Sequence, residues 1–140
     1  MRIFKFGGAS VKDADGVKNV LNVLQQVGHE DVLLVISAMG KTTNAFEVVI
    51  KNYFDKSNEL QSSIQDVKKY HIQILLELFE DENNPAFASV NNHFVDLDYF
   101  LSHNKSPNYN FVYDQVVSFG ELISTTIVSH YFNFRFIDHC

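Results

Sequence analysis

The first 36 residues read as strand, glycine turn, helix and strand, an opening that points to the α/β class. Arg2–Phe6 is short and alternates around Ile3, Phe4 and Phe6, as a strand does, and Gly7-Gly8 stops it. From Asp13 to Val27 the apolar residues Val17, Val20, Leu21, Leu24 and Val27 recur at helical spacing. Gly28 then stands where a helix ends. Val32–Ile36 is an unbroken run rich in β-branched residues, the pattern of a strand buried on both faces. Two strands joined by a helix over this length form a βαβ unit. Its sheet is expected to be parallel and its crossover right-handed.

The middle of the chain reads as helical. Leu60, Ile64, Val67, His71, Ile74 and Leu78 step by threes and fours, and so do Val90, Phe94, Leu97 and Leu101, with Asp81–Pro85 breaking the two helices. Asn104–Asn110 is a polar loop containing Pro107, and a last helical pattern runs from about Phe111 to Phe132. Phe134–Asp138 alternates and is expected to be a third strand. Three strands make a thin sheet where five or six are usual. The 140 residues are therefore read as the N-terminal portion of a larger α/β domain rather than a small complete one.

Charge and cysteine content narrow the function. Eleven Lys and Arg against seventeen Asp and Glu leave a net charge of −6. An acidic surface gains nothing from phosphate counterion release, which argues against general binding to nucleic acid or to anionic membranes. The one cysteine, Cys140, cannot form an internal disulfide. There is no basic and then apolar leader at the N-terminus, and no apolar run approaches the ~20 residues that span a bilayer. A reducing, cytoplasmic setting is expected. The six histidines are scattered and give no metal-ligand spacing, and His71 reads as a residue packed on the apolar stripe of its helix.

Three segments carry possible chemistry. Lys5-Phe6-Gly7-Gly8-Ala9-Ser10-Val11 joins the first strand to the first helix. Adjacent glycines let backbone N–H groups approach phosphate oxygens, the helix brings its positive N-terminus, and Lys5 supplies a point charge. The plainer reading is an ordinary strand-to-helix turn. Ser37-Ala38-Met39-Gly40-Lys41-Thr42-Thr43-Asn44 follows the second strand, at the carboxyl end where α/β ligand sites form. Its hydroxyl and amide groups suit a small carboxylate, although Thr43 or Asn44 could simply cap the next helix. Val117-Ser118-Phe119-Gly120-Glu121-Leu122-Ile123-Ser124 places a glycine inside a strongly periodic helix, at a cost of roughly 1 kcal/mol against alanine. Either Gly120 permits a close approach with Glu121 taking an ammonium group, or it is a packing glycine beside a surface glutamate. Gly40-Lys41-Thr42 ends like a P-loop, but Val35 stands where that motif needs its first glycine, and G-x-G-x-x-G occurs nowhere.

In order, the three segments resemble the aspartokinase branch of the amino-acid kinase family. Lys5–Val11 is similar to its opening K-F-G-G-T-S-V, with Ala9 in place of Thr. Ile36–Asn44 is similar to its V-S-A-M-x-G-x-T-N segment, with Lys41 where many members carry glycine. Ser118, Gly120, Glu121 and Ser124 match its S-x-G-E-x-x-S. The resemblance implies a three-layer αβα sandwich with a mainly parallel sheet, here truncated after about three strands. It implies transfer of a phosphoryl group from ATP, with Mg²⁺, to the side-chain carboxylate of L-aspartate, the first step of lysine, threonine and methionine biosynthesis. Lys5 would be catalytic and would bind nucleotide together with Phe6, Gly7, Gly8 and Ser10. Ser37 and Thr43 would hold the aspartate, and Glu121 its α-ammonium. The family's catalytic aspartate, most of its adenine pocket and its regulatory domains follow later in the chain, so these residues alone are expected to be inactive. At full length a homo-oligomer is implied. The alternatives are a kinase acting on glutamate, acetylglutamate or carbamate, or a non-catalytic binding half-domain.

Overall fold

The computed structural model describes residues 1–28 and 30–137. β1 (Arg2–Phe6) leads through a short 3₁₀ turn (Gly8–Val11) into α1 (Ala14–Val27), and β2 (Val32–Ile36) follows. The two strands pair in parallel, Arg2 beside Val32 through Phe6 beside Ile36, so the expected βαβ unit is present. Asp13 caps α1, its carboxylate accepting the Gly16 N–H at 2.8 Å. Asp13→Ala is expected to cost about 1 kcal/mol of stability, read as a lower urea midpoint at unchanged slope.

Four long helices complete the described chain: α2 (Thr42–Phe54), α3 (Leu60–Leu78), α4 (Pro85–His103) and α5 (Tyr109–Phe132). Each buries the stripe that its spacing marks. On α3 the buried residues include Ile64, Val67, His71, Ile74 and Leu78, and on α5 they include Val112, Val116, Ile123 and Ile127. Asn84 and Asn108 start α4 and α5 by accepting backbone N–H groups, and Pro85 occupies the first turn of α4, where its missing donor costs nothing. α2 packs between α3 and α5, and α4 lies against α5 and α3. One continuous core runs from Val11 to Tyr131.

Two expectations change. β2 is covered on one face only. Phe4, Phe6, Val32 and Leu34 pack against the core beside buried Ile36, whereas Ile3, Leu33 and Val35 on the other face are 65%, 49% and 42% exposed. An apolar run marks a strand that can be buried twice, but the covering layer must come from elsewhere. The expected third strand at Phe134–Asp138 is instead helical over Asn133–Ile137, continuing α5 as a π turn, and Asp138 lies outside the described residues. An alternating F-x-F pattern does not distinguish the two states. A strand needs a neighbour to satisfy its backbone, whereas helical continuation does so locally and seats Phe134 edge-on to Phe79, at 5.4 Å between ring centres.

Candidate active site

The site forms where the two parallel strands end. Past the last strand pair the ladder continues between the loops, as Ser37 N–H donates to Phe6 O at 3.0 Å and Gly40 N–H donates to Gly8 O at 2.9 Å. This stitching requires glycine. A Cβ on Gly8 would lie 2.8 Å from Ala38 O and 2.9 Å from Gly40 O, both backbone atoms that cannot move aside alone. Gly40 itself has φ +54°, the left-handed region that favours glycine. Gly7, by contrast, faces open space.

The third segment closes the site from the other side. On α5 a Cβ at Gly120 would stand 2.9 Å from Ala38 Cβ and 3.3 Å from Thr42 Cγ2, so the missing side chain is what lets the helix seat on the loop. One turn later the buried Ser124 hydroxyl donates to Ser37 O at 2.7 Å. Between loop and helix lies a cleft of about 520 Å³ lined by Gly8, Ser37, Ala38, Gly40, Thr43, Asp114, Val117, Ser118 and Glu121.

The cleft therefore gathers Gly8, Ser37, Thr43 and Glu121 from three segments far apart in sequence. Lys5, Phe6, Gly7 and Ser10 do not line it. Lys5 projects from the open face of the sheet with Ile3, while Phe6 faces the core. Ser10 is exposed, its N–H closing a turn onto Gly7 O at 3.0 Å.

Two local readings are corrected. The residues directly after the glycines form the 3₁₀ turn, and α1 begins only after Asp13, which already occupies the Gly16 N–H. That helix end is satisfied from within. Neither Thr43 nor Asn44 caps α2; Lys41 is the flanking residue and makes no side-chain cap. Thr42 is buried, with its hydroxyl turned inward to Met39 O and away from the cleft.

Asp114 is the lining residue that sequence reasoning missed. It stands seven residues before Glu121, and helical periodicity places both on one face of α5. Among the described residues no group of three His, Cys, Asp or Glu side chains gathers to hold a metal ion. None of the described helices is long and apolar enough to cross a membrane.

A parallel βαβ opening, a cleft at the strand ends and a glycine-seated helix across it define a class, and comparison agrees. The amino acid kinase family profile matches residues 1–139, and the chain belongs to that family. Among curated relatives it is 30% identical to aspartokinase 1, chloroplastic, of Arabidopsis thaliana over 138 residues, covering 94% of this chain and 23% of the relative. It is 28% identical to bifunctional aspartokinase/homoserine dehydrogenase 2 of Escherichia coli, covering 94% of this chain and 16% of that one. The fold is similar to that of E. coli aspartokinase III in complex with lysine and aspartate, at TM-score 0.80 and 21% identity, over 96% of this chain and 29% of that structure. The same enzyme with aspartate and ADP matches at TM-score 0.79 and 20% identity. The chain thus spans less than a quarter of the length of these curated relatives. The αβα amino-acid kinase fold is established, with two of its parallel strands present among the described residues.

Proposed function

We propose that this chain supplies the aspartate-binding half of an aspartokinase active site, in a reaction that passes the γ-phosphoryl group of ATP to the side-chain carboxylate of L-aspartate. The observation that carries this reading is the cleft. Two hydroxyls (Ser37, Thr43) and a carboxylate (Glu121) face one space beside the Gly8 backbone. That donor set suits a zwitterion, with the hydroxyls for a carboxylate and Glu121 for an α-ammonium. The names of the relatives favour aspartate over glutamate, acetylglutamate or carbamate.

The acceptor needs no general base, because a carboxylate with pKa near 4 is ionised at neutral pH. Catalysis then reduces to alignment and charge neutralisation along an in-line path. Gly7 and Gly8 offer backbone N–H groups to the phosphates, with Phe6 and Ser10 shaping that turn, and Lys5 neutralises charge on the transferring group. Mg²⁺, for which the described residues gather no carboxylate cluster, would be held through the nucleotide phosphates.

The open apolar face of the sheet supports assigning turnover to a longer chain. Residues 1–140 are expected to bind L-aspartate without forming aspartyl phosphate, measured by calorimetric titration and by hydroxylamine trapping of product. Product formation would contradict the half-site assignment. Tighter binding of glutamate or acetylglutamate would replace aspartate as the substrate. In a chain long enough to turn over, Lys5→Ala is expected to lower kcat by about 10²–10³ with the melting temperature unchanged, since Lys5 is solvent-exposed. An unaltered kcat would remove Lys5 from the mechanism.

A further inference from the structure

Helix α3 contributes nothing to the lining of the cleft, yet its middle turn reaches the loop that does. His71 is fully buried. Its Nδ1 stands 2.8 Å from Val67 O. A carbonyl only accepts, so Nδ1 carries the proton and Nε2 presents its lone pair in the neutral ring. Nε2 faces Thr42 Oγ1 at 3.3 Å. Thr42 N–H donates to Met39 O, and the Thr42 hydroxyl lies between two acceptors, Met39 O and His71 Nε2, sharing its single proton between the turn and α3. His71 thus ties to α3 the side chain that closes this turn.

The neighbouring residue acts on the same loop. Tyr70 donates its hydroxyl to Lys12 O. A Cβ on Gly40 would come within 2.5 Å of that hydroxyl, so Tyr70 sits directly against Gly40. Packing alone does not account for the identity of His71. Its ring meets Tyr70 edge-on at 5.1 Å and Phe94 at 6.2 Å, contacts that an apolar ring would make equally well. The polar path through Thr42 is what an apolar ring would lose.

We propose that His71 is a positioning residue for the cleft. Through Thr42 it fixes the Met39 turn, and with it the places of Ser37, Gly40 and Thr43, so ligand affinity depends on a side chain that never touches ligand. The inference rests on the reading of the cleft as the L-aspartate site.

Amide hydrogen exchange of Gly40, whose N–H is bonded to Gly8 O, tests it in the chain itself. His71→Leu keeps the bulk and removes both ring nitrogens. Thr42→Val, nearly isosteric, removes only the hydroxyl. In each, Gly40 exchange is expected to rise about tenfold relative to Ile127 in the core of α5, and L-aspartate binding to weaken by a similar factor. The double variant should be little worse than either single one. His71→Gln, which retains a polar group near the Nε2 position, should restore both readouts to within about threefold of the parent. If Gly40 and Ile127 accelerate in parallel, or Gly40 exchange does not change, His71 is a core residue only and the proposal is overturned. If the parent chain binds no L-aspartate, the substrate reading fails, while Gly40 exchange still decides the role of His71.

Discussion

Gly8→Ala is expected to destabilise the chain by about 1–3 kcal/mol and to abolish ligand binding in the cleft. The added Cβ meets two carbonyl oxygens, Ala38 O at 2.8 Å and Gly40 O at 2.9 Å. Both belong to the loop that Gly8 holds through its own carbonyl, so relief of the clash must part the two loops and break the Gly40–Gly8 hydrogen bond. Gly7→Ala is the matched control, because a Cβ there has nothing within 4 Å. Urea unfolding of the two variants, with L-aspartate titration of each, checks the prediction. Equal midpoints would mean that the loops part at no cost, and the close approach would then be incidental.

The second large effect is a loss of stability in acid. Burial pushes the His71 imidazole down from 6.5 to about 4, outweighing the hydrogen bond to Val67, which favours the proton. Between these values the unfolded chain takes up a proton that the folded chain refuses. The stabilisation from neutral His71 is therefore complete above pH 6.5, falls as pH drops, and is gone below about pH 4. The loss accumulated between pH 6.5 and pH 4 is about 3 kcal/mol. Burial also pushes His93 down, in the same direction. Comparison of the parent with His71→Gln isolates the effect, since the other titrating groups are common to both. The advantage of the parent over the variant should shrink by about 3 kcal/mol between pH 7 and pH 4. A difference independent of pH would mean that the folded ring protonates as readily as the unfolded one.

Most of the fold was legible because its elements declare themselves locally. The stripe on α3 predicted the buried Ile64, Val67, His71, Ile74 and Leu78, with Leu60 only partly buried and Leu75 added, and Gly28 marked the end of α1, where its φ is +85°. What failed depends on what lies next to a segment. Val32–Ile36 shows that a strand tolerates burial on both faces, but not whether a second layer covers it. Phe134 fits a strand or a helix, and its contact with Phe79 belongs to the helix.

The site follows the same rule. Ser37, Thr43 and Glu121 line the cleft, a placement that motif and chain position suggest through a loop at a strand end and a helix across from it. Thr42 looks equivalent to Thr43 in sequence, and only packing against His71 turns its hydroxyl inward. Gly120 left open a close approach or a plain packing glycine, and in the structure its missing side chain makes room for Ala38 and Thr42. Asp114 lies seven residues before Glu121 on the same face of α5, outside the three motifs, and only its offset marks it.

The bond from Ser124 to Ser37 spans 87 positions. A polypeptide made from its N-terminus therefore completes the two walls of this cleft at different times. The glycine loops are made within the first 44 residues or so, the α3 side chains that hold them follow at Tyr70 and His71, and the opposing wall waits for α5. Closing so long a loop costs little more entropy than closing one half its length, about 0.6 kcal/mol. What separates the walls is the time of synthesis, several seconds at about 5–20 residues per second. During that interval the cleft has at most one wall, and Gly120, with room for Ala38, is what lets the second wall seat.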